Sequence, residues 1–216
     1  MALSDFKGTY YIHHWSSDLD QRWPERLQLR PTIAETIFNY CESSASEKIH
    51  LLELGPGAGH LAQLTLSRLA SAFPTVSYTG IDINAELIQH TEQQLRGLDL
   101  ADLSFQQANL NQSSWSEGLL SFEVAYSFQT LHDLGGYQAL ESVYRKLYSL
   151  IRPGGLLLNA DFIVPFTQDD PNKPRRFPIE VHQRLLEQIG FVSFRSENAA
   201  GKLAVMTARR HEEYVL

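Results

Sequence analysis

The 216-residue chain is 43% hydrophobic and carries a formal net charge of −7, as expected for an acidic protein with a buried core. The acidic balance argues against a nucleic-acid partner, because such partners are bound through a basic face. Its single cysteine, Cys41, excludes an intramolecular disulfide and fits a reducing compartment. A polar N-terminus without a run of about eighteen apolar residues predicts no signal peptide and no membrane span, so we expect a cytoplasmic protein.

The first part of the chain combines an aromatic and imidazole cluster at residues 10–15 with a charged stretch at residues 18–30. A helix is predicted from residue 31 to about residue 41, because proline suits a first helical turn. The aromatic side chains are expected either to seal a sheet edge or to cover a ligand. His13 and His14 are adjacent and would point to opposite faces of a strand, so we predict no metal site.

Residues 51–61 predict a short apolar strand that ends in a glycine-rich turn and leads directly into a helix. Glycine lets the backbone approach a ligand closely, and the N–H groups of a helix start point toward that ligand. A nucleotide-like cofactor occupies this place in α/β proteins. The spacing G-x-G-x-G puts His60 where a dinucleotide motif has its third glycine, which disfavours a dinucleotide. A P-loop is excluded because no G-K-[ST] follows.

A second strand is predicted over residues 76–82 and ends in Asp82. A carboxylate accepts two hydrogen bonds at once, and an acid at this position of a βαβ unit accepts from both ribose hydroxyls. The alternative is that Asp82 caps the next helix, although Asn84 is the better cap by position. A third strand is predicted over residues 103–110, where Asn109 either accepts a hydrogen bond from a ligand or forms an Asx turn.

A fourth strand is predicted over residues 122–128, and His132 follows it. Imidazole titrates near neutral pH, so His132 is the best-placed candidate for a general base. The alternative is a structural cap in the loop after the strand. Asp133 is not expected to orient His132, because adjacent helical residues diverge.

An amphipathic helix is predicted over residues 137–151 from apolar positions spaced i, i+3, i+4. The Pro-Gly-Gly sequence within residues 152–155 stops that helix and reverses the chain. The next run, residues 156–162, is nearly all apolar, which is typical of a strand buried on both faces. Asp161 lies near the end of this strand.

The last part of the chain begins with a proline-rich segment, residues 164–178, expected to be an ordered irregular loop. This loop serves either as a lid or as a solvated connector. A helix is predicted over residues 179–189. Two strands, residues 192–196 and 202–208, are then predicted to be joined by a turn at residues 198–201.

Several of these segments resemble one known family. The sequence E-L-G-P-G-A-G at residues 53–59 resembles motif I of the class I S-adenosylmethionine-dependent methyltransferases. The R-P-G-G sequence at residues 152–155 is similar to the motif that this family has before its fifth strand. The resemblance covers roughly residues 48–210. It implies an α/β fold, with a seven-stranded, mostly parallel, doubly wound sheet, an antiparallel C-terminal hairpin and helices on both faces. It also implies a Rossmann-like cofactor domain at residues 49–216, with residues 1–48 as a helical and aromatic segment over the active site.

The same resemblance implies the chemistry. The cofactor would be S-adenosyl-L-methionine, with S-adenosyl-L-homocysteine as product and a small molecule, methylated on oxygen or nitrogen, as acceptor. The residues that match the family's cofactor motifs are Glu53, Gly55, Pro56, Gly57, Gly59, Asp82, Ile83, Asn109, Leu110 and Phe128. The candidate catalytic residues are His132 first, then Asp161, Tyr11 and His14, with His182 as a weaker alternative.

Other interpretations remain open. A catalytically silent methyltransferase-like subunit would share the fold and the cofactor motifs. An aminopropyl transferase would also share the fold, but it would carry acidic residues where this chain has Gln129, Thr130 and Leu131. A dinucleotide dehydrogenase is disfavoured by His60 and by the antiparallel ending. We expect a monomer or a homodimer that binds neither nucleic acid nor membrane.

Overall fold

The computed structural model describes residues 8–44 and 46–212. The α-helices are α1 (Gly8–Arg22), α2 (Glu25–Ser43), α3 (His60–Ala70), α4 (Ala85–Leu95), α5 (Tyr137–Leu150) and α6 (Ile179–Ile189). The strands are β1 (Lys48–Leu54), β2 (Thr75–Asp82), β3 (Asp102–Gln107), β4 (Phe122–Phe128), β5 (Ile151–Phe162), β6 (Phe191–Ala200) and β7 (Leu203–Arg210). Short 3-10 helices span Ser113–Ser116 and Leu131–Leu134.

The strands form one seven-stranded sheet in the order β3-β2-β1-β4-β5-β7-β6. β2 is parallel to both β1 and β3, and β4 is parallel to β5. β7 runs antiparallel to both β5 and β6. The predicted fold, a mostly parallel sheet that closes with an antiparallel hairpin, is therefore confirmed.

The chain divides into two compact units, residues 1–108 and 109–216. In the first unit, β1 is buried from Leu51 to Leu54, as expected for a strand covered on both faces. In the second unit, β5 is buried from Leu156 to Phe162, which confirms the prediction made from its continuous apolar run. None of the helices in the described ranges is long and apolar enough to cross a membrane.

The N-terminal helices differ from the prediction. Pro31 lies inside α2 and not in its first turn, and the charged stretch before it is helical as well. The reason is the spacing of Leu29, Ile33 and Ile37, which place one continuous buried stripe on both sides of the proline. Pro31 itself is exposed. Proline has no backbone N–H, so the helix lacks one hydrogen bond on its solvent face, and the buried apolar stripe is unaffected.

The boundary between α5 and β5 also differs. Ile151 was expected to end the helix, but it is extended, with φ −76° and ψ 132°, and pairs with Phe122. The register then shifts, so that Val124 pairs with Leu156. The predicted Pro-Gly-Gly turn is therefore a bulge at the start of β5, and the helix ends one residue earlier than expected.

The C-terminal hairpin is longer and its turn tighter than predicted. Ala200 pairs with Leu203, so Gly201 and Lys202 form the turn, and the expected turn at residues 198–201 is wrong. Gly201 has a φ of 59°, the left-handed conformation that two-residue hairpin turns require. The sequence pattern predicted the hairpin. The position of Gly201, with its positive φ, sets the register between β6 and β7.

Candidate active site

The glycine turn in the first unit is held by a contact from α4. Gly57 and Gly59 have φ angles of 57° and 77°, a region that L side chains rarely adopt. The Thr91 hydroxyl donates a hydrogen bond to the Gly57 carbonyl oxygen at 2.9 Å. A Cβ at Gly59 would lie 2.9 Å from the Thr91 side chain, so the backbone of the turn packs directly on α4.

Asp82 ties the end of β2 to this turn. Its Oδ2 accepts a hydrogen bond from the Gly57 N–H at 3.3 Å, and its Oδ1 accepts from the Asn84 N–H at 2.9 Å. The cap of α4 is Asn84, whose Oδ1 accepts from Glu86 and Leu87, so that prediction is confirmed. Burial raises the pKa of the Asp82 carboxyl, and the backbone donors oppose the shift. Backbone N–H groups therefore already occupy part of this carboxylate, and its role toward a ribose stays a prediction.

The other predicted cofactor residues of this unit lie around the same edge. Glu53 is 1% exposed and accepts a hydrogen bond from the Tyr78 hydroxyl at 2.7 Å. The Gly55 N–H donates to the Ile81 carbonyl oxygen at 2.7 Å, which fixes the start of the turn. Pro56 is buried and Ile83 is exposed. The carboxyl ends of β1 and β2 thus bring together Glu53, Gly55, Pro56, Gly57, Gly59, Asp82 and Ile83.

Helix α1 packs on the glycine turn through Trp15, whose ring would lie 3.5 Å from a Cβ at Gly57. Tyr11 and Trp15 are partly buried against the apolar cluster of Ile12, Ala58 and Leu87. Tyr11, a candidate catalytic residue, is therefore part of this packing, and His14 is exposed on the same helix. Among the side chains that the structure describes, no three from His, Cys, Asp or Glu are arranged to hold a metal ion.

The second unit opens with Asn109. β3 ends at Gln107, three residues earlier than predicted, and Asn109 lies beyond it. Its Oδ1 accepts a hydrogen bond from the Asn111 N–H at 2.9 Å, which is the Asx turn that the sequence left as an alternative. Asn109 and Leu110 are both half-buried, and their role toward adenine stays a prediction.

The residue that follows β4, Gln129, has features that the sequence did not predict. Gln129 follows the half-buried Phe128, and its N–H donates to the Ala160 carbonyl oxygen at 2.8 Å. Its φ is 54°, a conformation that costs a non-glycine residue of order 1 kcal/mol or more and that persists mainly at functional sites. Its side-chain Nε2 is buried without a hydrogen-bond partner among the described residues. A strained backbone and an unpaired buried donor together indicate a binding role.

His132 is paired with Asp161, 29 positions away. Its Nδ1 lies 2.7 Å from Asp161 Oδ1, and its backbone N–H donates to Asp161 Oδ2 at 3.0 Å. Asp161 is 1% exposed and also accepts from the Phe162 N–H at 2.8 Å. The sequence identified both residues as separate candidates, and the structure brings them into one hydrogen-bonded pair.

The electrostatics of this pair favour the protonated imidazole. Burial lowers the pKa of His132, but the charge and hydrogen bond of Asp161, with a contribution from Asp133, outweigh it, so the pKa lies above its usual value. The pKa of Asp161 is lowered because His132 and the backbone donors outweigh its burial. A hydrogen on Nδ1 directed at Asp161 leaves Nε2 as the basic nitrogen. Nε2 is 3.6 Å from Asp133 Oδ2.

The proline-rich loop packs around the half-buried cation of Arg176. The guanidinium of Arg176 lies 3.8 Å from the centre of the Phe166 ring and pairs with Asp169. Asp169 also accepts from the Phe166 N–H at 2.7 Å. Arg175 forms an ion pair with Asp133, the neighbour of His132 in the 3-10 helix. The loop is thus tied to the segment that carries the candidate base.

His182, the weaker alternative, lies in a buried chain of hydrogen-bonded polar side chains. Its Nδ1 is 2.8 Å from the Tyr144 hydroxyl, which accepts a hydrogen bond from Asn159 at 3.0 Å. The Ser127 hydroxyl donates to Asn159 Oδ1 at 2.8 Å. Burial lowers the pKa of His182, so its neutral form is favoured. These contacts describe a structural residue that connects α6, α5 and β5.

Gln129→Gly is expected to lower turnover about tenfold or more while the thermal midpoint of unfolding stays unchanged or rises. Glycine relieves the left-handed strain, worth about 1 kcal/mol, but it removes the buried amide donor. Activity and thermal unfolding measured on the same preparation test this. A parallel loss of stability and activity would assign Gln129 a structural role instead.

A family model described as a methyltransferase domain matches residues 52–157. The sterol 24-C-methyltransferase of Debaryomyces hansenii is 25% identical over 163 residues, which is 68% of this chain and 40% of that protein. The malonyl-acyl-carrier-protein O-methyltransferase of Acetivibrio thermocellus is 24% identical over 140 residues, covering 62% of this chain and 43% of that protein. This chain therefore spans about two-fifths of the length of either relative.

A solved structure shares the fold along most of the chain. The N-methyltransferase NodS from Bradyrhizobium japonicum, in complex with S-adenosyl-L-homocysteine, superposes with a TM-score of 0.62 at 16% sequence identity. The match covers 84% of this chain and 87% of that one. The names of the three proteins indicate methylation at carbon, oxygen and nitrogen, so similarity at this level leaves the acceptor atom open.

Proposed function

Because the chain belongs to the S-adenosylmethionine-dependent methyltransferases, we propose that it transfers a methyl group from this cofactor to a small-molecule acceptor, at oxygen or nitrogen. The observation that carries the proposal is the glycine turn locked between Thr91 and Asp82. The bound cofactor supplies a methyl group already activated on a sulfonium. The protein therefore contributes mainly positioning and the exclusion of water.

The residues of the first unit fit a nucleoside with free ribose hydroxyls. A carboxylate offers about four acceptor sites, and the N–H groups of Gly57 and Asn84 occupy two of those on Asp82. The backbone N–H of Ile83 is a further donor to this carboxylate, and the acceptor capacity that remains would serve a ribose hydroxyl. Gly57 adopts the left-handed conformation that this tight turn needs, and the Trp15 ring packs where a side chain at Gly57 would lie.

His132 is the proposed base. An acceptor that carries its proton on oxygen or nitrogen must lose it as the methyl group arrives, and His132 Nε2 would take that proton. Asp161 holds the opposite ring nitrogen at 2.7 Å, and its charge stabilises the imidazolium that forms. The proposed acceptor atom is oxygen or nitrogen, from which a base of this kind can remove a proton.

The setting of the enzyme is part of the same proposal. The net charge of −7 supports an acceptor that is not a nucleic acid. Cys41 is the single cysteine of the sequence and is buried, and this sparing use of cysteine supports a reducing, cytoplasmic location. The proposed oligomeric state is a monomer or a homodimer.

The test is the release of S-adenosyl-L-homocysteine from S-adenosylmethionine in the presence of a panel of phenols, carboxylic acids and amines. Release above the acceptor-free background for one class supports the proposal and names the class. Cofactor binding without release across the whole panel would favour the catalytically silent subunit.

The rate is expected to rise with pH through a value above 6.5, the ordinary pKa of histidine. The rate rises with pH because a general base must be neutral to accept a proton. The raised pKa keeps His132 protonated to a higher pH than an ordinary histidine. Asp161→Asn removes the charge that raises the pKa, so the rise should move to lower pH while the rate falls. A pH profile of kcat/KM for both proteins measures this, and an unmoved profile would contradict it.

A further inference from the structure

Asp133 lies beside the nitrogen of His132 that is assigned to the acceptor's proton. Its Oδ2 is 3.6 Å from His132 Nε2, whereas Asp161 Oδ1 is 2.7 Å from Nδ1, the other ring nitrogen. A separation of 3.6 Å exceeds the roughly 2.9 Å of an N–H···O hydrogen bond. The Asp133 side chain is 64% exposed and that of His132 only 9%. Nε2 therefore faces an exposed carboxylate that is close to it but not hydrogen-bonded to it.

A closer approach of this carboxylate would work against a base. Once Nε2 carries a proton, a shift of less than about 1 Å would let Asp133 Oδ2 accept a charge-assisted hydrogen bond from it. That bond would stabilise the imidazolium, but a general base must return to its neutral form before each transfer. Asp161 already stabilises the charge of His132, so a second carboxylate on Nε2 would keep the ring protonated and block this nitrogen.

Arg175 binds the opposite oxygen of Asp133. Its Nη2 donates a hydrogen bond to Oδ1, so one carboxylate oxygen faces the guanidinium and the other faces the imidazole of His132. The Arg175 side chain is 43% exposed, and an ion pair this open to water has a modest effect. The pair opposes a turn of Asp133 toward Nε2, and it offsets part of the negative charge beside the ring.

The proline-rich loop fixes the point from which Arg175 extends. The next residue, Arg176, pairs with Asp169 and lies over the Phe166 ring, 3.8 Å from its centre. The Phe166 N–H donates to Asp169 Oδ2 at 2.7 Å, which connects residues 166, 169 and 176 within the loop. Arg175 therefore extends from an anchored backbone, and the loop contributes to the position of Asp133.

The charged groups that act on His132 come from three segments. Burial lowers its pKa, Asp161 of β5 and Asp133 of the 3-10 helix raise it, and Arg176 of the loop lowers it. The Phe162 ring packs edge-on against the imidazole at 5.0 Å and adds no charge. Of the two carboxylates, Asp133 has the smaller effect and the greater exposure, so a neighbouring arginine can alter its contribution.

We propose that Arg175 is a positioning residue for the transfer, because it holds the Asp133 carboxylate away from Nε2 of His132 and keeps this nitrogen open to the acceptor's proton. The inference rests on the proposed function for the role of Nε2. It extends that function by giving the proline-rich loop a part in preparing the base. Arg175 acts through Asp133 and need not touch the acceptor itself.

The experiment follows the titration of the His132 ring by NMR in the full chain with isotopically labelled histidine, and His132→Gln assigns the signal. The variants are Arg175→Gln, Asp133→Asn and the two combined. Arg184→Gln is the matched control, because this arginine is exposed on α6 in the same unit. The titration needs neither cofactor nor acceptor. Both altered side chains are exposed, so the thermal midpoint should stay unchanged and serves as the check on folding.

Arg175→Gln is expected to raise the midpoint of the His132 titration by about half a pH unit, or roughly threefold in proton affinity, as fits an exposed ion pair. Asp133→Asn should lower the midpoint. Adding Arg175→Gln to Asp133→Asn should then have little effect, because Arg175 acts through the carboxylate. An unmoved midpoint in Arg175→Gln, or the same rise with and without the Asp133 carboxylate, would overturn the proposal.

The transfer assay separates this inference from the proposed function. With an acceptor that supports release of S-adenosyl-L-homocysteine, Arg175→Gln should move the pH profile of kcat/KM upward by about the same amount and leave the rate at high pH nearly unchanged. A profile that stays in place, while His132→Gln still lowers turnover, would overturn the role of Arg175 alone. Unaltered turnover in His132→Gln would contradict the proposed base, and the role of Arg175 with it.

Discussion

Replacing His132 by glutamine is expected to lower turnover by about 100-fold or more, within the range that a positioned general base contributes. Glutamine keeps the size and a hydrogen bond to Asp161, but it cannot accept the proton of the acceptor. The affinity for S-adenosyl-L-homocysteine should change by about twofold at most, because the proposed role lies in the chemical step. Turnover under saturating substrates and calorimetric affinity measure the two quantities separately.

The control for this prediction is His211→Gln, which changes an exposed histidine and should leave turnover unaltered. Unaltered turnover in His132→Gln as well would remove the base from the mechanism and leave His132 as a structural cap. A loss of turnover together with a lower thermal midpoint would also assign it that structural role.

Asp82→Ala is expected to weaken S-adenosyl-L-homocysteine binding by about 100-fold. Two hydrogen bonds to a charged group, each worth about 1.5 kcal/mol or more, would be lost with the carboxylate. The change also leaves the N–H groups of Gly57 and Asn84 without their acceptor, so a destabilisation of about 1 kcal/mol or more should accompany it. Calorimetry and thermal unfolding separate the two effects.

Two further variants make this prediction sharper. Asp82→Asn keeps one acceptor oxygen for the backbone and should recover stability more than affinity. Asp102→Ala, at an exposed aspartate that begins β3 in the same unit, should change neither. Equal affinities for Asp82→Ala and Asp102→Ala would show that Asp82 only fastens the turn.

The sequence predicted the features that depend on local pattern. The strand before the glycine turn, the acid that ends β2 and the cap at Asn84 all follow from short-range spacing, and the structure has them where expected. The family resemblance stated on the residues of the glycine turn is confirmed by the matching domain at residues 52–157. Glycine spacing carries this information because it specifies backbone conformation directly.

The features that the sequence missed depend on distant contacts. The pairing of His132 with Asp161 joins the end of β4 to the end of β5, and nothing local marks it. The positive φ of Gln129 has no sequence signal, because glutamine has no preference for that conformation. The helix through Pro31 depends on the burial of its apolar stripe, which outweighs the local preference of proline. Tertiary packing decided all three.

The most direct measurement is a calorimetric titration of S-adenosyl-L-homocysteine into the unaltered chain. The cofactor assignment predicts one site per chain with micromolar affinity, and a competing titration with NAD that shows no binding. If a folded sample gave no heat of binding with S-adenosyl-L-homocysteine, the cofactor assignment would be contradicted. The roles proposed for the glycine turn and Asp82, and the methyl transfer itself, all require binding of that cofactor.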